Sequence, residues 1–168
     1  MAELNPRDRL QPFLLDRLTD DQSDQTKESR EKYVFSPRQL KASIMRDLAY
    51  LLNTPAPTEA EGITEQANVA ASVLNYGIPD LTGTTASGVA GSALERSIMK
   101  AIQTFEPRLE KHGLKVKVLG RDAKDSPNTI TLEIRAEVIL NQLPEALYIK
   151  TEVDLESGLI SMKERPNG

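Results

Sequence analysis

The sequence predicts an α+β fold in which an antiparallel sheet of about four strands, in the C-terminal half, is covered on one face by about three helices from the N-terminal half. Two observations support this prediction. Apolar residues recur at helical spacing as far as Phe105, and from Leu114 onward they alternate with polar residues. The chain has 168 residues, 39% of them hydrophobic, which is enough for one core but not for two.

The first element is a short apolar segment followed by a polar stretch. Its apolar side chains would line one side of about two helical turns. They are Leu10, Phe13, Leu14, Leu15 and Leu18. Such a segment is too short to fold alone, and the polar residues after it bury too little apolar area to offset their ordering entropy. We therefore interpret residues 1–18 as a docking segment, for this chain or another, and residues 19–35 as a flexible tether.

The main domain is assigned to residues 36–163, with residues 164–168 as a tail. Its first helix is marked by Ser36 as a cap, a proline at the next position and Gln39 three residues after the cap. Apolar residues at helical spacing predict that this helix runs to about Asn53. A second helical segment is expected near residues 65–75, with Val69, Val73 and Leu74 facing inward.

A glycine-rich loop precedes the third helix, which Pro107 ends. No lysine follows the glycines as a phosphate-binding loop would require. Alternation then predicts strands over residues 114–118, 130–138 and 147–155. Glu156, Ser157 and Gly158 form a turn into a short last strand, residues 159–163. This last strand is expected at a sheet edge.

Composition argues against several classes of function. With 21 basic and 25 acidic residues the net charge is −4 and no basic block stands out, so we expect no nucleic-acid partner. The absence of cysteine removes thiolate metal sites and thiol nucleophiles. No apolar run resembles a signal peptide or approaches a membrane span, so we expect a cytoplasmic protein without membrane insertion.

Few residues are candidates for catalysis. His112, the only histidine, lies beside Gly113 in a predicted helix exit, where a structural role is favoured over that of a base or metal ligand. Glu133 and Glu137 would be separated by roughly 13 Å along a strand, too far for glycoside cleavage. We assign no catalytic, cofactor-binding or metal-binding residue.

The motif Glu106-Pro107-Arg108 is more informative. Pro107 forces Glu106 out of helical geometry, and residues two apart in an extended segment point the same way. Glu106 and Arg108 are therefore expected to project side by side. The residues alone leave two interpretations equally open. Either the motif ends the helix and carries two surface charges, or Glu106 and Arg108 form a functional pair.

Four segments together closely resemble the type VI secretion baseplate subunit TssE family, which is similar to the baseplate wedge protein of contractile phage tails. They are residues 10–21 (LQPFLLDRLTDD), 45–54 (MRDLAYLLNT), 72–83 (SVLNYGIPDLTG) and 105–109 (FEPRL). Pro55 and the loop at residues 84–92 depart from the family pattern. The resemblance implies a structural subunit that helps to assemble a membrane-proximal baseplate and on which the contractile sheath begins to polymerise.

The resemblance also implies partners and contact residues. The partners would be the wedge subunits TssF, TssG and TssK and the sheath proteins TssB and TssC. The family's Glu-Pro-Arg motif corresponds to Glu106, Pro107 and Arg108, which would support wedge contacts. The last strand would accept an extended strand from a sheath protein through Leu159, Ile160, Ser161 and Met162.

Two other functions are alternatives to the assembly subunit. The lysozyme-like label carried by the phage family points to a muramidase, but no carboxylate pair is placed for that chemistry by the sequence. A small regulatory adaptor of the same fold is the other alternative, and co-purification with wedge subunits would separate it from the assembly subunit.

Overall fold

The structure is a computed structural model that describes residues 12–19, 35–57, 66–82, 91–120, 129–139 and 145–164. The helices are α1 (Leu14–Leu18), α2 (Pro37–Leu52), α3 (Ala67–Ala70) and α4 (Gly91–Phe105), with a 3₁₀ turn at Val73–Asn75. The strands are β1 (Lys115–Gly120), β2 (Thr129–Val138), β3 (Glu145–Asp154) and β4 (Ile160–Glu164). The predicted α+β fold, with its helices before a four-stranded antiparallel sheet, is confirmed.

The sheet follows chain order, β1-β2-β3-β4, so β1 and β4 are its edges. In β2 and β3 the apolar residues of the alternating pattern point to the same face, with Ile134 opposite Ile149. That face packs against α2 and α4, whose Ile44, Leu48 and Ile98 are completely buried. The core is therefore the layer between the two long helices and the sheet.

The start of α2 is capped as the sequence predicts. The Ser36 side chain accepts a hydrogen bond from the Gln39 N–H at 3.2 Å, and the Gln39 side chain accepts one from the Ser36 N–H at 2.9 Å. This capping box fixes where the helix begins. The buried stripe is Leu40, Ile44, Leu48, Leu51 and Leu52, as periodicity indicates.

The second predicted helix is partly wrong. Helix α3 ends at Ala70, and Ser72 then bonds the local backbone, its hydroxyl donating to Val69 O at 2.8 Å and accepting from the Leu74 N–H at 3.3 Å. Serine competes with helix continuation in this way. The break changes the direction of the side chains that follow, so Val73 is 81% exposed and Leu74 66% exposed instead of facing inward.

Gly77 ties the segment after the 3₁₀ turn to the end of α2. The Ile78 N–H donates to Thr54 O at 3.0 Å and the Ala56 N–H donates to Ile78 O at 2.8 Å. Gly77 has φ +128°, and a Cβ there would lie 2.3 Å from Thr54 O, so only glycine allows this approach. The pairing holds the C-terminal end of α2, and with it Asn53, against the body of the protein.

Several sequence predictions fall outside the described residues. They concern Leu10, most of the tether at residues 19–35, most of the glycine-rich loop and the tail beyond residue 164. In the part of the chain that is described, no helix has the length and apolarity needed to cross a membrane.

Candidate functional site

The Glu-Pro-Arg motif lies where the chain passes from α4 to the sheet. The Glu106 N–H still donates to Ile102 O at 2.8 Å, but the helix proper ends at Phe105. Beyond Pro107 the Ile139 N–H donates to Arg108 O at 2.8 Å, which pairs this segment with the end of β2. The backbone around Arg108 is thus held at both ends, and the predicted helix stop is confirmed.

Arg108 makes the densest set of polar contacts among the described residues. Its Nε donates to Glu106 Oε1 at 2.5 Å and its Nη2 also donates to Glu106 Oε2. On α2, Nη1 donates to Ser43 Oγ at 2.9 Å and Nη2 to Asp47 Oδ2 at 2.6 Å. Ser43 and Asp47 are one helical turn apart, so the planar guanidinium joins one face of α2 to the exit of α4.

This network is mostly withdrawn from water. Glu106 is only 4% exposed and the Arg108 side chain 9% exposed. The prediction that these two side chains lie side by side is therefore correct in geometry, but Glu106 is buried and faces inward. A partner can reach only the outer part of Arg108 without rearranging the fold, and a partner contact there stays a prediction.

The electrostatics of the site follow from this burial. Burial alone lowers the pKa of Arg108, but hydrogen bonding and charge from Glu106, and then from Asp47, outweigh it and raise this pKa above its ordinary value. Burial raises the pKa of Tyr76, and the negative charges of Asp47 and Glu106 raise it further. The arginine is charged and the tyrosine neutral at physiological pH.

The N-terminal helix α1 lies against this network. The Phe13 ring centroid is 4.4 Å from Arg108 Cζ, a cation–π distance. Asp16 Oδ1 accepts from Arg46 Nη1 at 2.5 Å, while Arg46 also donates to Asp47 Oδ1 through Nε at 2.9 Å and Nη2 at 2.8 Å. Helix α1 and the Glu-Pro-Arg motif, which the sequence presents as separate, meet in one place.

A groove of about 370 Å³ runs beside this contact. Its lining includes Leu14, Leu15, Tyr50, Tyr76 and Phe105. The outer side of α1 is open to solvent, with Leu14 71% exposed and Leu18 74% exposed. Apolar surface is therefore available next to the arginine network.

A second candidate lies at the β4 edge of the sheet. The Asp154 N–H donates to Leu159 O at 3.0 Å, which makes these two residues a hydrogen-bonded pair. Because such pairs alternate along an antiparallel ladder, Ser161 bonds toward β3, whereas Ile160, Met162 and Glu164 direct their backbone groups away from the sheet.

Asn53 occupies part of this edge. Its Oδ1 accepts from the Ile160 N–H at 2.9 Å and its Nδ2 donates to Ile160 O at 3.0 Å, as a neighbouring strand would. The amide thus covers the outward groups of Ile160. Among the described residues, no side chain bonds the outward backbone groups of Met162 in the same way. At the opposite edge, Glu95 Oε1 accepts from the Val118 N–H at 2.8 Å.

The remaining sequence candidates are placed as follows. His112 is exposed in a turn well beyond the end of α4, so the expected helix exit at this residue is wrong. Glu133 bonds Arg135 on the surface of β2, Oε2 to Nη2 at 3.0 Å. Within the described ranges, no group of three or more His, Cys, Asp or Glu residues is arranged to hold a metal ion.

Ser43, Arg46, Asp16 and Asn53 are site residues that the sequence does not reveal. The polar spacing of Ser43 and Asp47 on one side of α2 is a weak signal for a buried polar contact. The other contacts join residues far apart in the chain, and Asn53 and Ile160 are separated by 107 positions. No local pattern points to such a pair.

Comparison with known proteins gave one family. Searches of curated proteins and of solved structures found no match. A family model described as baseplate wedge protein gp25 matches residues 38–143, more than half of the chain. The matched region runs from the first turn of α2 past the end of β2, and so contains the whole arginine network except Asp16. The chain therefore belongs to the family of the baseplate wedge protein gp25, a family of structural baseplate proteins.

Proposed function

We propose that this protein is the baseplate wedge subunit of a type VI secretion system, where it joins TssF, TssG and TssK and starts the sheath of TssB and TssC. The family match supports a structural role in a phage-tail-like baseplate. The specific system rests on the four segments that resemble TssE. The protein would act on the cytoplasmic side of the membrane, in the membrane-proximal baseplate.

The observation that supports sheath initiation is the outward direction of backbone N–H and C=O groups on β4. At Met162 and Glu164 this strand turns its N–H and C=O groups away from the sheet, where an extended strand from another chain can pair with them. Leu159 is 63% exposed beside this edge, while the Ile160 side chain is buried in the core. In the proposal, Met162 and Glu164 provide the backbone contacts and Asn53 marks where the added strand ends.

Wedge assembly is assigned to the arginine network and α1. Arg108 would contribute a charged contact from its outer side, held in position by Glu106, Ser43 and Asp47. The exposed leucines of α1 would add apolar area. In the proposed organisation, residues 36–163 form the wedge domain and residues 19–35 the tether of the docking segment.

The first experiment is co-purification of the tagged full chain with the wedge subunits from cells that express all of them. An assembly subunit is expected to bring down TssF, TssG and TssK in fixed proportion. Recovery of the folded chain without any wedge subunit would contradict the proposal and favour the adaptor.

Deletion of residues 1–18 is expected to leave the thermal unfolding of the body nearly unchanged while weakening co-purification. Helix α1 has no buried residue, and its ion pair to Arg46 is partly exposed, so its contribution to stability is about 1 kcal/mol or less. A loss of that size lowers the melting temperature by roughly 2 to 4 °C.

Truncation of residues 1–9 alone is the matched control, since it keeps the whole apolar cluster, and it should behave as wild type. If deletion of residues 1–18 instead removes most of the stability, the segment belongs to the fold and its role as a docking peptide is wrong.

A further inference from the structure

The surface under α1 presents two features that suit one kind of ligand. The Arg108 guanidinium lies over the Phe13 ring, although its N–H groups are bound to Glu106, Ser43 and Asp47. Arg46 directs Nη1 at Asp16, while its Nε and Nη2 are bound to Asp47. The first feature suits an aromatic ring and the second a carboxylate.

Phe13 is the N-cap residue of α1 and Asp16 lies in its first turn, and the two side chains reach both features from the start of this helix. Next to them, Tyr50, Leu51 and Tyr76 provide an apolar floor. The recognition pattern is thus an aromatic residue followed three positions later by an acidic one, presented by a helix.

The arginine network does not need this occupant. Without Asp16, Arg46 keeps two bonds to Asp47, and Arg108 keeps all its bonds to Glu106, Ser43 and Asp47. The two arginines and the two remaining carboxylates, Glu106 and Asp47, also balance in charge, whereas Asp16 adds a negative charge in excess. The arginine network therefore keeps its hydrogen bonds and its charge balance when no helix occupies the groove.

The resident segment fits its site poorly. Helix α1 has five residues, no side-chain cap on its N-terminus and no buried residue, and a helix this short is not stable by itself. The Asp16 side chain is only 9% exposed, yet its Oδ2 is buried without a hydrogen-bond partner, which has a free-energy cost. Binding of the segment is favoured because segment and groove belong to one chain, which makes the contact intramolecular.

From these observations we infer that the groove at Arg46 and Arg108 is a binding site for a helical turn of the pattern aromatic-x-x-acidic, which Phe13 and Asp16 fill in the isolated chain. A partner helix with the same pattern displaces α1. This inference rests on the proposed function only in taking the partner to be a wedge subunit, since the groove belongs to the chain alone.

The test uses a synthetic peptide of residues 10–19 (LQPFLLDRLT) and three full-length proteins: wild type, Phe13→Ala/Asp16→Ala and Leu18→Ala. Binding is followed through the amide and arginine side-chain NMR signals of the labelled protein. Because the double variant has lost its own ligand, it should bind the peptide at least about fivefold more tightly than wild type. Leu18 points to solvent, so Leu18→Ala should bind like wild type.

Peptides with alanine in place of Phe13 or Asp16 complete the experiment. Each should bind the double variant on the order of tenfold more weakly, the effect of losing one cation–π or ion-pair contact. Equal affinity of all peptides, or no shift of the Arg108 signals at millimolar peptide, would overturn the inference. Dimerisation of wild type that requires Phe13 would also overturn it, since the segment would then fill the site of a second copy. The isolated chain suffices, so failure here leaves the co-purification result independent.

Discussion

Replacement of Arg108 with alanine is expected to destabilise the fold by about 3 to 5 kcal/mol, the cost of breaking a buried ion pair from one side. Glu106 would stay buried at 4% exposure with its carboxylate unpaired, and Ser43 and Asp47 would lose their contacts with the α4 exit. The measurement is chemical denaturation of the full chain at neutral pH. A loss of this size is a large part of the stability of an ordinary domain.

Arg46→Ala is the matched control, because Arg46 also bonds Asp47 and lies next to Arg108 in space. Its side chain is 34% exposed, so its removal should cost about 1 kcal/mol or less. The double variant Glu106→Gln/Arg108→Met should recover part of the loss by removing the unpaired charge. If Arg108→Ala unfolds at the same denaturant concentration as Arg46→Ala, the buried network does not stabilise the fold.

A wedge contact at the motif must therefore be tested with a variant that keeps the fold. Alanine at Glu106 or Arg108 weakens the fold, so a failure of assembly would mix lost folding with a lost contact. Arg108→Lys retains the positive charge but loses the planar guanidinium group and its paired N–H donors. Assembly by this variant, compared with wild type at equal folded fraction, reports on the outer face of Arg108. Normal assembly by Arg108→Lys would argue against recognition of its planar group by a partner.

Local patterns predicted most of the fold, because burial alternates at the period of each element. The stripe of α2, its capping box and the four strands all follow from the sequence. The break at Ser72 did not, since periodicity describes which residues are apolar and not whether a serine bonds the backbone after Val69.

The candidate site was predictable in part. Pro107 indicates that the chain leaves the helix, and this predicts that Glu106 and Arg108 lie together. The buried network around them could not be predicted, because the partners of Arg108 on α2, Ser43 and Asp47, lie 65 and 61 positions earlier in the chain. The contact between Phe13 and Arg108 is more distant still in the chain and has no local pattern.

Proline at Met162 is expected to abolish the start of sheath polymerisation while the domain still folds and joins the wedge. The β4 register turns the Met162 N–H away from β3, so proline removes no bond within the sheet. It does remove the donor that an added strand needs, and its ring blocks the approach of that strand. The preceding residue is already in a strand, a geometry that proline favours.

The neighbouring positions show why Met162 is the right one. Proline at Ser161 would remove a bond to β3 and weaken the hairpin. The Ile160 N–H points outward but donates to Asn53, and the Ile160 side chain is 3% exposed, so proline there would disturb the core. Both are therefore unsuitable, although each lies in the strand predicted to accept the sheath.

Met162→Ala separates the backbone effect from the side chain, because it removes the same packing against the core but keeps the N–H. Sheath formation is measured by electron microscopy or by fluorescent sheath foci, with circular dichroism and wedge co-purification for both variants. Normal sheath with Met162→Ala and none with Met162→Pro would identify the missing backbone donor as the cause. Equal loss in both variants would assign the effect to the methionine side chain, and normal sheath with folded Met162→Pro would exclude strand addition at this edge.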